Sequence, residues 1–158
     1  MIISNLTNKH LIDLDFNAKD SKEAILKLAD MLEKDGKLTS KEAFIMDVFQ
    51  REMESSTAFG KGFALPHGKS FGVNEPCFAI GRSKKGVKWE SFDKQPVNFI
   101  ILLAVPIKEA GTSHLEILSQ IAGKLTYDEY RSQLLDAKNE EEILSILTSS
   151  VNENIELI

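Results

Sequence analysis

The sequence predicts an α/β fold with helices covering a mixed sheet, and three patterns carry that expectation. Apolar residues recur at helical spacing in capped segments, they alternate with polar ones at Ile12, Leu14 and Phe16, and they run unbroken from Phe99 to Pro106. Strand and helix signals mix along all 158 residues without an internal repeat, so a single domain spanning residues 1–158 is expected.

Ile12, Leu14 and Phe16 face one way and Asp13, Asp15 and Asn17 the other, which is the period of a half-buried strand. Asp20 then caps a helix, with Glu23 in the third position, Ile25, Leu28, Ala29 and Leu32 as the apolar face, and Gly36 as the stop. Thr39 and Glu42 form a second capping pair, opening a helix that buries Phe44, Ile45, Val48 and Phe49. Arg51 falls at the end of that mostly apolar face. A charged residue there either turns inward to a partner or stands at the lip of a site.

Helical period is lost between Glu54 and Asn74, where glycine occurs at 60, 62, 68 and 72. Only short strands fit there, and a segment of that length inside a compact domain is usually functional. Strands are expected at Cys77–Ile80 and Gly86–Trp89, and at Val97–Val105, which is apolar on both faces and so central in the sheet. Ser113 and Glu116 then open a helix carrying His114 near its start, with Leu118, Ile121, Ala122 and Leu125 on its apolar face. Two more helices follow, at about Asp128–Ala137 and, capped by Asn139, at Glu140–Val151.

Composition narrows the function. Net charge is −5, from 19 Lys and Arg against 24 Asp and Glu, which argues against nucleic acid as the main partner. One basic cluster, Arg82, Lys84, Lys85 and Lys88, reads either as a solvated hairpin or as a rim that steers an acidic or phosphorylated partner. No run approaches the ~20 apolar residues that cross a bilayer, and no signal peptide is visible. Cys77 is the single cysteine, which excludes an internal disulfide and fits a reducing, cytoplasmic setting.

The chemistry is expected at His67, in the stretch Leu65-Pro66-His67-Gly68-Lys69. Pro66 fixes its own φ and pushes Leu65 towards an extended conformation, while Gly68 allows another backbone to come close. That surrounding presents an imidazole rather than hiding it, and an unprotonated imidazole is a nucleophile near neutral pH. His114, at a helix start, meets free N–H groups and the positive end of the dipole. It serves there either as a neutral donor to an anion or as a packing histidine. Thr57 either hydrogen-bonds an anion or caps a turn.

Competing chemistries fit less well. Gly62 to Ser70 resembles a phosphate-binding loop, but five residues instead of four separate Gly62 from Gly68, and no helical pattern follows. His10, His67, His114 and Cys77 contain no close pair of the kind zinc sites use. Serine hydrolysis is set aside for want of a nucleophile elbow. Phosphoryl transfer through histidine remains. It asks for alignment and for charge stabilisation of the phosphoryl oxygens, which the planar guanidinium of Arg51 is suited to give. It needs neither nucleotide nor metal cofactor when the group arrives on a protein.

Arg51-Glu52 through Ser56-Thr57, Gly60-x-Gly62-x-Ala64-Leu65-Pro66-His67-Gly68-Lys69, Leu103-Ala104-Val105-Pro106 and His114-Leu115-x-x-Leu118 together resemble the fructose/mannitol-type enzyme IIA domain of the bacterial phosphoenolpyruvate-dependent sugar phosphotransferase system. The resemblance runs from about Phe16 to Val151, and the two histidine segments are specific in combination. It implies a three-layer α/β/α arrangement around a mixed sheet. It also implies that His67 accepts a phosphoryl group from the phosphocarrier HPr and passes it to a cysteine of an enzyme IIB domain. His114 matches an assisting histidine and Arg51 the active-site arginine, while Cys77 does not match the IIB acceptor.

Two function classes stay open on these residues. One is a transport component that works with IIB and a membrane IIC partner on a sugar or polyol. The other is a regulatory protein of the nitrogen-related branch, acting by phosphorylation-dependent binding. Phe59, Phe63 and Phe71 either anchor the active segment in the core or place at least one aromatic ring at a docking rim.

Overall fold

The computed structural model describes residues 3–109 and 112–148, leaving aside the side chains of residues 3, 4, 109 and 112–115. Among the described residues the main elements are β1 (Ile12–Asp13), α1 (Ser21–Lys34), α2 (Lys41–Glu54), β2 (Ala58–Gly60), β3 (Phe63–Ala64), β4 (His67–Ser70), β5 (Cys77–Val87), β6 (Val97–Pro106), α3 (Thr112–Lys124), α4 (Asp128–Asp136) and α5 (Glu140–Thr148). The sheet is mixed, in the order β1-β5-β6-β3-β2. β5 lies antiparallel along one side of β6, while β3 and then β4 lie parallel along the other.

β6 is apolar on both faces because both are covered. Ile100, Leu102 and Ala104 pack with Leu28, Leu32, Phe44 and Val48 of α1 and α2. Phe99, Ile101, Leu103 and Val105 pack with Ile117, Ile121, Leu134 and Ile143 of α3, α4 and α5. The result is the three-layer α/β/α arrangement. A one-residue slip would exchange the two rows of β6. Each large apolar side chain contributes about 1.5–3 kcal/mol by burial, so the register that sets His67 opposite Leu103 is firmly held.

The helix ends show which local signals act. Asp20 accepts from Glu23 N–H at 2.9 Å, and after α1 the N–H groups of Gly36 and Lys37 return to the carbonyls of Glu33 and Leu32. Asn139 accepts from Glu142 N–H at 2.9 Å, as its position before α5 implies. α2 differs from expectation: its cap is Ser40, which accepts from Ala43 N–H at 3.1 Å. Thr39, the expected cap, directs its hydroxyl to the Phe71 carbonyl, so tertiary contact decides between two adjacent hydroxyl residues.

Three further expectations are corrected. The strand through Phe16 stops at Asp13, whose side chain accepts from Asp15 N–H and turns the chain away. The two strands expected at Cys77–Ile80 and Gly86–Trp89 are one strand with a bulge between Arg82 and Val87. Gly86, at φ +87°, supplies the positive φ, and Ser83 Oγ accepts Gly86 N–H, so the polar residues that read as a hairpin bulge out of one strand whose pairing resumes at Val87. Within that segment Arg82 is committed to the carbonyls of Leu134 and Ala137 at the end of α4, and does not belong to a free basic rim.

Candidate active site

β4 begins at His67, so a strand and not a loop presents the imidazole. The residue before it is tied to the centre of the sheet, since Pro66 O accepts Leu103 N–H at 3.0 Å. His67 is paired with Leu103, whose side chain belongs to the face that α3, α4 and α5 cover. Its neighbour Gly68 points the other way, against α2. A Cβ there would stand 2.8 Å from Val48 Cγ2 and 3.2 Å from Val48 N, so only glycine permits this approach of strand and helix. That closeness brings the last turns of α2 beside His67.

The ring is oriented from within its own segment. His67 Nδ1 lies 2.9 Å from the Leu65 carbonyl oxygen. A carbonyl only accepts, so Nδ1 carries the proton and Nε2 keeps its lone pair in the neutral ring. Burial holds the His67 pKa below its ordinary 6.5, against the opposing Leu65 carbonyl; the charge of Arg51 lowers it further, and Glu52 and Glu54 work the other way. The neutral ring is therefore the prevailing form at pH 7.

A cavity of about 400 Å³ opens here, lined by Asp47, Gln50, Arg51 and Glu54 of α2 and by His67 and Lys69 of β4. Arg51 is half-buried at its lip, with Nη1 donating to the Ser55 carbonyl at 2.9 Å. The structure thus brings Arg51 to His67 across 16 residues of sequence. A nucleophilic nitrogen beside a guanidinium suits attack on an electrophile that carries negative charge.

His114 falls in the first turn of α3, and its side chain lies outside the described residues, as does that of Ser113, the expected cap. What is described is that α3 covers His67's face of the sheet, with Ile117 and Leu103 in one core cluster. Thr57 is placed differently from an anion ligand. It is buried, and both its N–H and its hydroxyl donate to Glu52, at 2.8 and 2.6 Å. Its one hydroxyl proton is already committed.

Glu52 is the residue that sequence reading passed over, although it adjoins Arg51. Its carboxylate also accepts from Trp89 Nε1–H at 3.1 Å. Of the three aromatics, Phe63 is buried and stacked on Phe99 with ring centroids 5.2 Å apart. Phe59 and Phe71 reach the surface, at 37% and 84% exposure. The letters G-x-S-x-G do occur, at Gly68-Lys69-Ser70-Phe71-Gly72. Ser70 is fully buried at the end of β4 and its Oγ accepts Gly72 N–H, so that serine is not presented as a nucleophile.

Fold and site together define a class: a three-layer α/β domain that holds one histidine neutral beside an arginine at an open cavity. Within that class the chain belongs to the family described as phosphoenolpyruvate-dependent sugar phosphotransferase system, EIIA 2, whose model matches residues 5–150. Membership implies phosphoryl transfer in general. The chain is 39% identical over 147 residues to the PTS system fructose-specific EIIABC component of Bacillus subtilis (strain 168), covering 93% of this chain but 23% of that protein. The nitrogen regulatory protein IIA-Ntr of Neisseria meningitidis matches with a TM-score of 0.81 and 32% identity, over 92% of this chain and 99% of that one. Enzyme IIAMtl of Escherichia coli, solved in complex with phosphorylated enzyme IIBMtl, shares the fold at a TM-score of 0.75 and 20% identity, over 89% and 95% of the two chains. Among the described residues no helix is long and apolar enough to cross a membrane.

Proposed function

We propose that His67 accepts a phosphoryl group from phospho-HPr and passes it to a cysteine of an enzyme IIB domain, for uptake of a sugar or polyol through a membrane IIC partner. The observation that carries this reading is the hydrogen bond from Nδ1 to the Leu65 carbonyl, which leaves Nε2 as the nucleophile beside Arg51. The Nε2 lone pair forms the new P–N bond while the donor's P–N bond breaks, and the Nδ1 proton stays in place. The IIB thiolate then attacks phosphorus, and His67 leaves as the neutral ring. Arg51 meets the phosphoryl oxygens, and His114 donates a hydrogen bond from its helix start. The fructose-specific relative supports transport, and the IIA–IIB complex of the mannitol protein supports a IIB partner. The reading places the protein in the cytoplasm with its donor.

The test is to incubate the protein with phosphoenolpyruvate, enzyme I and HPr and to map the acid-labile phosphate. One equivalent on His67 is expected. Label on His114, or on a His67→Ala variant, overturns the assignment.

A second reading has its own observation. The likeness to IIA-Ntr covers nearly the whole of both chains, which favours a regulatory protein that uses the same histidine to switch its binding. Transfer to a IIB domain encoded beside this gene supports transport. A gene lying alone or beside a sigma factor, with no IIB that takes the group, supports regulation.

A further inference from the structure

We propose that Glu52 is a positioning residue for transfer at His67: it pins the chain between α2 and β2, and through that chain it sets where the Arg51 guanidinium stands. This rests on the reading of His67 as the acceptor. Glu52 Oε2 accepts from Thr57 N–H and Trp89 Nε1–H, and Oε1 accepts from the Thr57 hydroxyl. All three donors are neutral, and no ion pair among the described residues involves Glu52. Hydrogen bonds to an ionised acceptor are the strong ones, so the carboxylate is a firm anchor for Thr57.

Arg51 and Glu52 are neighbours on α2 and leave the helix about 100° apart, so they grip opposite ends of one short link. Arg51 holds its near end at the Ser55 carbonyl, and Glu52 holds its far end at Thr57. Ser55 has already left the helix, with φ −169° and ψ 149°, so the helical ladder does not aim its carbonyl. The link itself does. Between the two ends Ser56 donates to the Glu90 carbonyl and accepts Ala58 N–H at 3.1 Å. Trp89, which is buried, carries the clamp into the β5–β6 connection. A guanidinium on a long flexible stem thereby receives a fixed address beside the histidine.

The test compares Glu52→Gln with Glu52→Ala in the full chain. The amide keeps an acceptor oxygen for Thr57 N–H and Trp89, and its NH₂ can donate to the Thr57 hydroxyl. Transfer from phospho-HPr should stay near the wild-type rate in Glu52→Gln. It should fall by on the order of 10–10²-fold in Glu52→Ala, the scale of a small misplacement, in kcat with KM unchanged. The His67 ring titration, followed by NMR without any phosphodonor, gives the second readout. Both variants lose the Glu52 charge, but only Glu52→Ala releases Arg51, so the His67 pKa should lie higher in Glu52→Ala than in Glu52→Gln. Wild-type transfer by a folded Glu52→Ala, equal slowing in both variants, or coincident titrations overturn the proposal. Should Glu52→Ala fail to fold, Glu52→Asp keeps the charge but draws the carboxylate one methylene back from Thr57 and Trp89, and wild-type transfer by that protein overturns the proposal equally. Absence of label on wild-type His67 instead defeats the reading beneath it, and the titrations separate the two failures.

Discussion

Gly68→Ala adds one methyl group at the seam between β4 and α2, and its effect can be worked out from the contacts. The new Cβ would lie 2.8 Å from Val48 Cγ2, 3.2 Å from Val48 N and 3.4 Å from Val48 Cα. The side-chain atom can give way, but the two backbone atoms are part of a helix whose Val48 and Phe44 are fully buried. Overpacking of this kind costs about 1–3 kcal/mol, and the lower chain entropy of alanine offsets about 0.4–1, for a net loss of up to about 2.5 kcal/mol and about 1 kcal/mol at mid-range. Urea unfolding should show the loss as a lower midpoint at unchanged slope. Val48→Ala removes the closest obstacle, so the double variant should be more stable than the two single losses predict, by roughly the overpacking term. Relief of strain must also move β4, and phosphoryl transfer in Gly68→Ala should slow by on the order of 10–10²-fold through displacement of His67 from Arg51. Strict additivity of the stability losses, or wild-type transfer by Gly68→Ala, refutes the reasoning.

Three other outcomes are expected. Because burial holds the His67 pKa below its ordinary 6.5 and the proposed nucleophile is its neutral form, transfer should be level above pH 7 and fall by about tenfold per unit only once pH drops below the lowered pKa; a midpoint above 6.5 in the pH–rate profile contradicts the site's electrostatics. Cys77 is buried and its pKa is pushed up to about 12 by desolvation, so a thiol reagent at pH 8 should label it only as fast as the protein opens, and immediate labelling would place it at the surface. Arg82→Gln should lose about 1–3 kcal/mol of stability through its bonds to the Leu134 and Ala137 carbonyls, with transfer rates and their salt dependence unchanged; a changed salt slope would return Arg82 to a partner-steering rim.

What the sequence made legible is what local chemistry decides. Asp20, Gly36 and Asn139 act within a few residues of themselves, and each does in the structure what its position implies. β6 was legible because an apolar run from Phe99 to Pro106, too short for a typical buried helix, suits a strand covered on both faces. The bulge in β5 was hidden because Ser83 to Gly86 have the composition of a turn, while the bond from Asn98 to the Ser83 carbonyl and the pairing of Val87 with Val97 come from the far strand. At the site, residue type and surroundings singled out His67 and Arg51, which the structure places at one cavity. Glu52 was not, because its partners are a backbone N–H, a hydroxyl and an indole that meet only after the chain has turned out of α2. The state of the ring was hidden too, since it depends on which way the Leu65 carbonyl points.

That carbonyl belongs to a gap. β3 and β4 lie along the same edge of β6, and Leu65 and Pro66 interrupt them. Across it the Pro66 carbonyl still accepts from β6 and the Leu65 N–H still donates to the Thr57 carbonyl, while the Leu65 carbonyl meets the imidazole. The ring cannot flip without giving up that bond, so the proposed carrier would offer the same nitrogen in every round. In-line displacement admits one direction of approach, and a group loaded on the other nitrogen would be stranded. If His67 carries phosphate as proposed, a two-residue interruption in a strand works as a regiochemical lock, keeping the carrier free of an isomer that its acceptor has no means to unload.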